Sequence, residues 1–429
     1  MLHLSIGKIK KMNTAKDLME LEKEIKETID EYGRDIYRIN LQKIADETPR
    51  TGSDGKRLTE GRMQESQITT PYGKVVLNLF CGRCKETGMF EVPFKVRYCR
   101  GSRCAMTPAL EHRIAVTSCE TGSYEKCSKV CEEWGCSISD DKSMDVVKEI
   151  GKSCKDSDLP RFCVDAAGKD DVLIVSMDGW NARFRGNDWG DDKKKSNEHV
   201  DWHEVKSAVM YKLSQVTDIS NQRRIIIKKH IVCTGPETSP EEFAKEVEKE
   251  AIRMGLHRAA KTYFIMDGGT YLWNIYDVCF SVLAKGTLDF YHAVQHMNIL
   301  AEYLFPKDPE AKKHWLDEHC HDLKHLGPAN LLKTIEEIDF KSIRKREAKK
   351  IIKRESQYFR NHEEHMHYEK NEKLGIPIGS GAMESQCSQN QNRFKRRGQF
   401  WSDEGFSLAL KTYVRYTNNE LDYCYTHAA

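Results

Sequence analysis

No stretch of this sequence stays apolar for the ~20 residues that a membrane-spanning helix requires, so no membrane partner is expected. Neither sign of charge is in excess: 68 Lys and Arg stand against 66 Asp and Glu, a net +2 over 429 residues. Attraction to a polyanion cannot come from the chain as a whole and has to be concentrated in local patches. Met1 to Ile6 is cut short by Lys8, Lys10 and Lys11, too soon for a secretory signal. Internal repeats and low-complexity tracts are missing too. A cytoplasmic setting is therefore expected, in which 15 cysteines serve as packing residues or metal ligands rather than disulfide partners. With 7 Trp, 15 Phe and 17 Tyr the chain can build real cores, which excludes global disorder.

Residues 1–70 read as an N-terminal helix and a linker. Leu18, Leu21, Ile25, Ile29 and Tyr32 recur at helical spacing, whereas 51–70 is rich in Gly, Ser, Thr and Arg. Residues 71–107 form a second unit with a strand over Lys74–Phe80 and another over Phe90–Tyr98. Each runs into a cysteine pair, Cys81 with Cys84 and Cys99 with Cys104. Two such knuckles suit one tetrahedral structural zinc, as in a zinc ribbon. The four-residue gap in the second pair is loose, so His112 as a substitute ligand and four unligated thiols stay open. In 108–155 an amphipathic run, Tyr124–Trp134, a Gly135 turn and a helix over Asp140–Ile150 make a helix-turn-helix pattern, which serves DNA reading or plain packing. Cys127 and Cys131 are placed to pack in its core.

From 170 the texture becomes α/β. Strands are expected over 171–177, Trp202–Tyr211, Arg223–Cys233 and Lys261–Met266, with a fifth over 286–292, in one mixed sheet. Ser239-Pro240-Glu241-Glu242 is a strong helix start. Residues 293–374 read as an all-helical insertion, and 375–429 returns with two closing helices.

Two apolar runs end in the same Met-Asp-Gly, at Asp178 and at Asp267. An acid just past a buried strand, with glycine behind it, projects into the crevice where α/β sheets bind ligands. Two such acids repel unless a cation lies between them, and carboxylates are the preferred ligands of Mg²⁺ and Mn²⁺. Turn or cap roles are the plainer alternative. A third acid, Glu384, is delivered by the glycine-punctuated run Gly375 to Gly381 to a helix start. Asp, Asp and Glu around two divalent ions is a site for in-line phosphoryl transfer on nucleic acid.

Met177-Asp178-Gly179-Trp180, Met266-Asp267-Gly268-Gly269, Leu288-Asp289-Phe290-Tyr291-His292 and Ile376-Pro377-Ile378-Gly379-Ser380-Gly381-Ala382-Met383-Glu384-Ser385 together resemble the RNase H-like DDE transposases of prokaryotic insertion sequences. The likeness is to the Kra-type group, related to Mutator-like transposases, and covers about 170–420. The intervals agree: 89 residues separate the two aspartates and 117 separate Asp267 from Glu384 (267 − 178 and 384 − 267), the second leaving room for a helical insertion.

The resemblance implies an α/β RNase H-like catalytic domain over 170–292 and 375–429, interrupted by the insertion. Asp178, Asp267 and Glu384 would ligate two Mg²⁺ or Mn²⁺ ions for hydrolysis and strand transfer on DNA. His292 would approach the scissile phosphate, or be a hydrogen-bonded core histidine. The partners would be element ends and target DNA, with a homo-oligomer assembled on them, in a nucleoid-associated setting. The alternatives are a non-catalytic DNA-binding protein derived from a transposase and a metal-dependent nuclease without strand transfer. Trp273 is expected in the core, and His362, His365 and His367 in solvent. Of two basic runs, Lys341–Arg354 reads as a solvated helix face, and Arg393, Lys395, Arg396 and Arg397, continuing from Glu384, as phosphate contacts.

Overall fold

The computed structural model describes residues 14–99, 105–153, 155–186, 200–220, 223–341 and 343–425. The chain divides into two compact units: residues 159–418, and residues up to 158 together with those from 419 onward. The end of the chain thus leaves the unit that holds 375–418, where the sequence reading had kept it.

In the first unit α1 (Ala15–Glu47) is closed by a Thr14/Asp17 capping box. Its Tyr37, Leu41 and Ala45 pack on a sheet, while Leu18, Ile25, Ile29 and Tyr32 are exposed. That sheet is a long antiparallel hairpin of β1 (Thr59–Thr70) and β2 (Gly73–Arg83), edged by β3 (Phe90–Glu91). The expected linker 51–70 is largely β1. It was hard to see because its outer residues, such as Arg62, Gln64 and Glu65, leave Ile68 as its one buried aliphatic side chain. The turn closes at Gly73, whose φ of +107° suits glycine. The expected strand Phe90–Tyr98 ends after two residues. Pro93 lacks the N–H a ladder needs and instead opens a short helix, α2 (Pro93–Tyr98).

Three further helices, α3 (Pro108–Thr121), α4 (Tyr124–Glu133) and α5 (Asp140–Ser153), close on Leu110, Ile114, Cys127, Cys131, Val146 and Ile150. Cys127 and Cys131 are core residues, as their spacing suggested.

The second unit is built on a five-stranded mixed sheet in the order β10-β9-β4-β5-β8. Its strands are β4 (Val172–Arg185), β5 (Val200–Lys212), β8 (His230–Thr234), β9 (Lys261–Met266) and β10 (Lys285–Leu288). β4, β5 and β8 are antiparallel neighbours, and β9 and β10 run parallel to β4. The expected strand over Arg223–Cys233 is really two. β7 (Arg223–Ile226) pairs with β6 (Val216–Ser220) in a separate hairpin, and the chain passes through Lys228 and Lys229 before β8. α6 (Pro240–Arg253) begins at the expected helix start, which proves to be a Ser239/Glu242 capping box.

Pleat alternation assigns the two faces of the sheet. Leu173, Val175, Met177, Phe264 and Met266 point into one core with α6 and α7 (Thr270–Cys279). The residues between them face the other way, toward α13 (Gly381–Phe394) and α14 (Asp403–Thr417). There Trp180, Phe184, Phe394, Trp401 and Phe406 form an aromatic cluster. Each ring pair adds ~1 kcal/mol beyond its burial, which fixes α13 on β4.

The helical stretch between β10 and α13 comprises α8 (Phe290–Leu304), α9 (Pro309–His325), α10 (Ala329–Glu336), α11 (Arg346–Asn361) and α12 (Tyr368–Lys373). On α11, Ala348, Ile352, Glu355 and Phe359 are buried and Lys350, Lys353 and Arg354 are exposed, so this basic run is a solvated face. His362 is buried and His365 stacks on Trp273 at 4.2 Å, so these two histidines belong to the packing between α7 and the insertion and not to solvent.

Candidate active site

The sheet register brings the first two acids together. β4 and β9 pair with a constant offset, from Val172 opposite Lys261 to Val175 opposite Phe264. Asp178 and Asp267 each lie three residues beyond the last pair, at the same level on neighbouring strands. Both follow residues that point into the α6/α7 core, so both turn to the α13 face. β10 extends the row: Leu288 pairs with Met266, which sets Asp289 beside Asp267.

Asp178 is half-buried. Burial, and then the Asp267 charge, raise its carboxyl to about 6, although the Gly179 N–H donates to its Oδ1 at 2.7 Å. From α13, Cys387 Sγ lies 3.6 Å from Oδ2. Asp267 Oδ1 accepts from the Gly269 N–H at 3.0 Å, and its main-chain carbonyl accepts from Trp273 Nε1 at 2.6 Å. Trp273 is therefore a buried anchor for the strand end, in agreement with its expected core place. Gly268 admits Tyr358 so closely that a Cβ there would meet the ring at 2.0 Å, so glycine behind Asp267 is a packing requirement.

Glu384 sits in the first turn of α13, mostly exposed, with Oε1 3.8 Å from His292 Nε2. Ligand atoms of Asp289, His292 and Glu384 all lie within 4.8 Å of one another. His292 is partly exposed and stands beside Glu384. A cleft of about 1720 Å³ opens beside Glu384, lined among others by Tyr211, Arg224, Tyr291, Gly379 and Gln389.

Three residues of the site were not foreseen in their present roles. Asp289 is fully buried. Its Oδ1 caps α8 through the N–H groups of Tyr291 and His292, and its Oδ2 accepts the N–H and the hydroxyl of Ser380, both at 2.5 Å. It ties the sheet to the loop that launches α13. Glu204 on β5 lies over Gly179, and Tyr271 donates to it at 3.4 Å. Burial raises the Tyr271 phenol, as do the charges of Glu204, Asp178 and Asp267. Only the Asp-x-x-His spacing hinted at Asp289; neither Glu204 nor Tyr271 carries a local motif.

The basic residues after α13 need correction. α13 ends at Phe394, ten residues and ~15 Å along the axis from Glu384 (394 − 384), so Lys395, Arg396 and Arg397 lie past the helix end rather than beside Glu384. Arg393 is buried, its guanidinium over Phe394 and Trp401 at 5.0 and 5.9 Å, and is not placed to touch phosphate. Lys395 stands 4.9 Å over the exposed Trp202 ring, and Arg397 is exposed.

For zinc, Cys104 lies outside the described residues. Cys81, Cys84 and Cys99 do not bring three sulfurs within 4.8 Å of one another. Burial pushes the Cys99 thiol up to about 12, with Glu111 as the next cause. His112, the alternative ligand, pairs with Asp422 at 3.2 Å. The described thiols as placed do not fit one tetrahedral ion.

Among the described residues Asp178, Asp267 and Glu384 do not bring three ligand atoms within 4.8 Å of one another, whereas Asp289, His292 and Glu384 do; an ion between the strand ends would nonetheless offset the burial and the Asp267 charge that raise Asp178. This predicts a result that needs no activity. Below pH ~4 both folded and unfolded forms carry a protonated Asp178; above 6 the folded form bears the cost of ionising it. Asp178→Asn is therefore expected to stabilise the ion-free protein at pH 7.5 by up to about 3 kcal/mol. Mg²⁺ is expected to raise the melting temperature of the wild type and much less that of the variant. Calorimetry with and without Mg²⁺ checks both, and equal shifts in the two proteins would place the ion elsewhere.

A family model described as an uncharacterised protein family, UPF0236, matches residues 12–422. No curated protein matches. Among solved structures, the Drosophila P element transposase strand transfer complex is similar at 11% identity over 73% of this chain and 79% of that chain. Its TM-score of 0.25 is too low to carry an argument.

Proposed function

We propose that this chain, which belongs to the UPF0236 family, is a DNA transposase that cleaves and joins phosphodiesters at a two-aspartate, one-glutamate site. The observation that carries the proposal is the level row of Asp178 and Asp267 on adjacent parallel strands, with Glu384 and His292 closing on the same side. The sheet supports an RNase H-like reading. Three antiparallel strands are followed by two parallel ones on the far side of the first, and the last acid arrives on a later helix.

Asp178, Asp267 and Glu384 would hold divalent cations, which when bound supply Lewis-acid stabilisation and a more acidic attacking water. The chain's own part is positional. The sheet register sets the distance between the aspartates. Asp289 holds the Ser380 loop, and that loop fixes the first turn of α13 and hence Glu384. His292, beside Glu384, can accept or return a proton at Nε2.

Mg²⁺-dependent incubation with duplexes carrying the element's ends, scoring both cut and joined products, tests the reading. Cutting with joining supports transposition, cutting alone supports a nuclease, and binding without either supports a transposase-derived DNA-binding protein.

Affinity for DNA should rest on patches. Neutralising Lys395, Arg396 and Arg397 to Gln is expected to weaken specific and random duplexes alike. It should flatten the log–log salt slope by up to about 2.7, at ~0.9 per phosphate contact. Changes on α5 should instead erode preference for the element's ends. Binding isotherms across a salt series decide, and an unchanged slope in the Gln variant would remove these residues from the interface.

A further inference from the structure

Away from the acids, near the start of β4, lies a second cluster that the proposed reaction does not use. Cys163 sits in a tight turn, its N–H donating to the carbonyl of Arg253 at the end of α6. Its Sγ is 3.7 Å from His230 Nδ1. On the far edge of that ring, Nε2 is 2.8 Å from Glu250 Oε2. The same carboxylate oxygen accepts from Arg253 Nη1 at 2.6 Å. His230 and Glu250 are buried, while Cys163 is partly exposed.

The imidazole turns one nitrogen to the sulfur and the other to the carboxylate, and donor atoms of the three residues lie within 4.8 Å of one another. The guanidinium already occupies the carboxylate oxygen that an ion would need. A thiol, a base within reach of its proton, and a carboxylate orienting that base form instead the layout of an activated nucleophile. Around the ring stand Glu250, Arg253 and Lys249 of α6, with Asn418 Nδ2 3.3 Å from Nε2. Burial alone would lower the His230 imidazole, but its contacts with Cys163 and Glu250 outweigh that and hold it at about 9.

We infer that Cys163 is a reactive nucleophile whose proton is taken by His230, and that it is a site of covalent modification by hydroperoxides. In the step the thiolate attacks the peroxide oxygen. The S–O bond forms as the O–O bond breaks, sulfur loses two electrons and the peroxide gains them. The departing hydroxide or alkoxide takes the proton held on His230 Nδ1, leaving a sulfenic acid and water or an alcohol. Nothing beyond the peroxide is consumed.

Iodoacetamide labelling of the full-length protein, read by peptide mass spectrometry from pH 5.5 to 9, tests the assignment. An ordinary thiol is only about 3% thiolate at pH 7, so full activation is worth roughly 30-fold. Burial raises the thiols of Cys279 and Cys320, which are also partly exposed, so free N-acetylcysteine is the reference. Cys163 is expected to react at least about tenfold faster at pH 7 than that reference, and its rate should climb less steeply with pH than those of Cys279 and Cys320. His230→Gln should bring it down to the reference rate or below, with circular dichroism confirming the fold. Dimedone should trap the sulfenate at Cys163 after one equivalent of hydrogen peroxide. If the His230 variant does not fold, the wild-type profile decides alone: a Cys163 rate that rises with pH in parallel with Cys279 overturns the assignment. So does a folded His230→Gln with undiminished reactivity.

Discussion

Replacing Asp178, Asp267 or Glu384 by its amide is expected to lower cation-dependent DNA cleavage by at least about 10³-fold, some 4 kcal/mol of barrier, with DNA affinity within about twofold of wild type. On the proposed reading the loss is large because each amide would remove a negative ligand from a site that works by charge and position. It is confined to chemistry because the carboxylates oppose DNA electrostatically and cannot be what binds it. The pH dependence follows from Asp178, raised to about 6 by burial and by the Asp267 charge. As pH falls through 6 this carboxyl takes up a proton and, on the proposed reading, would no longer hold a cation. Cleavage at subsaturating Mg²⁺ should therefore fall below pH 6 and recover at higher Mg²⁺. Single-turnover rates for wild type and the three amides between pH 5.5 and 8 measure both effects. A Glu384→Gln variant that cleaves at more than a tenth of the wild-type rate would take Glu384 out of the site and leave the two-aspartate row to a different chemistry.

The parts of this site that could be read in the sequence are those with a local signature. Met-Asp-Gly after an apolar run marks a strand end wherever it occurs, and the glycine run before Glu384 announces a helix start. What the sequence could not show is the register. That Asp178 and Asp267 stand at one level depends on the pairing of β4 with β9, set by packing of Leu173, Val175 and Phe264 against helices far along the chain. Glu204 and Tyr271 escaped notice for the same reason, since they join the site only through strand pairing and the seating of α7. Misreadings arose where local composition and tertiary context disagree. β1 is polar because one of its faces is solvated. The expected strand over Arg223–Cys233 begins with Ile225 and Ile227 exposed, and its buried part is β8. Arg393 looked like a phosphate ligand from its neighbours' charge, but its place on α13 turns it onto two aromatic rings.

Asp289 is expected to behave unlike the three acids above, and the contrast identifies its role. It is fully buried, and its two oxygens serve three main-chain N–H groups and one hydroxyl, those of Tyr291, His292 and Ser380. Asp289→Ala strands those donors in the interior, at a cost of roughly 3–5 kcal/mol. In a unit of this size that corresponds to a melting temperature about 10 °C lower. Asn does not rescue it, because the amide nitrogen would have to face the Ser380 donors. Ser380→Ala, which removes only the hydroxyl, should cost about 1 kcal/mol. Cleavage should fall with the same ranking, since a loosened Ser380 loop lets the first turn of α13, and with it Glu384, drift from the aspartates. A displacement of about 1 Å in such a site is enough for ~10²-fold. Variants of Asp178, Asp267 and Glu384 lose cleavage at an unchanged or higher melting temperature, whereas Asp289→Ala should lose both together. An Asp289→Ala protein that melts like the wild type but no longer cleaves would make Asp289 a ligand in its own right. One that melts lower yet cleaves normally would show that the Ser380 loop is held by something else.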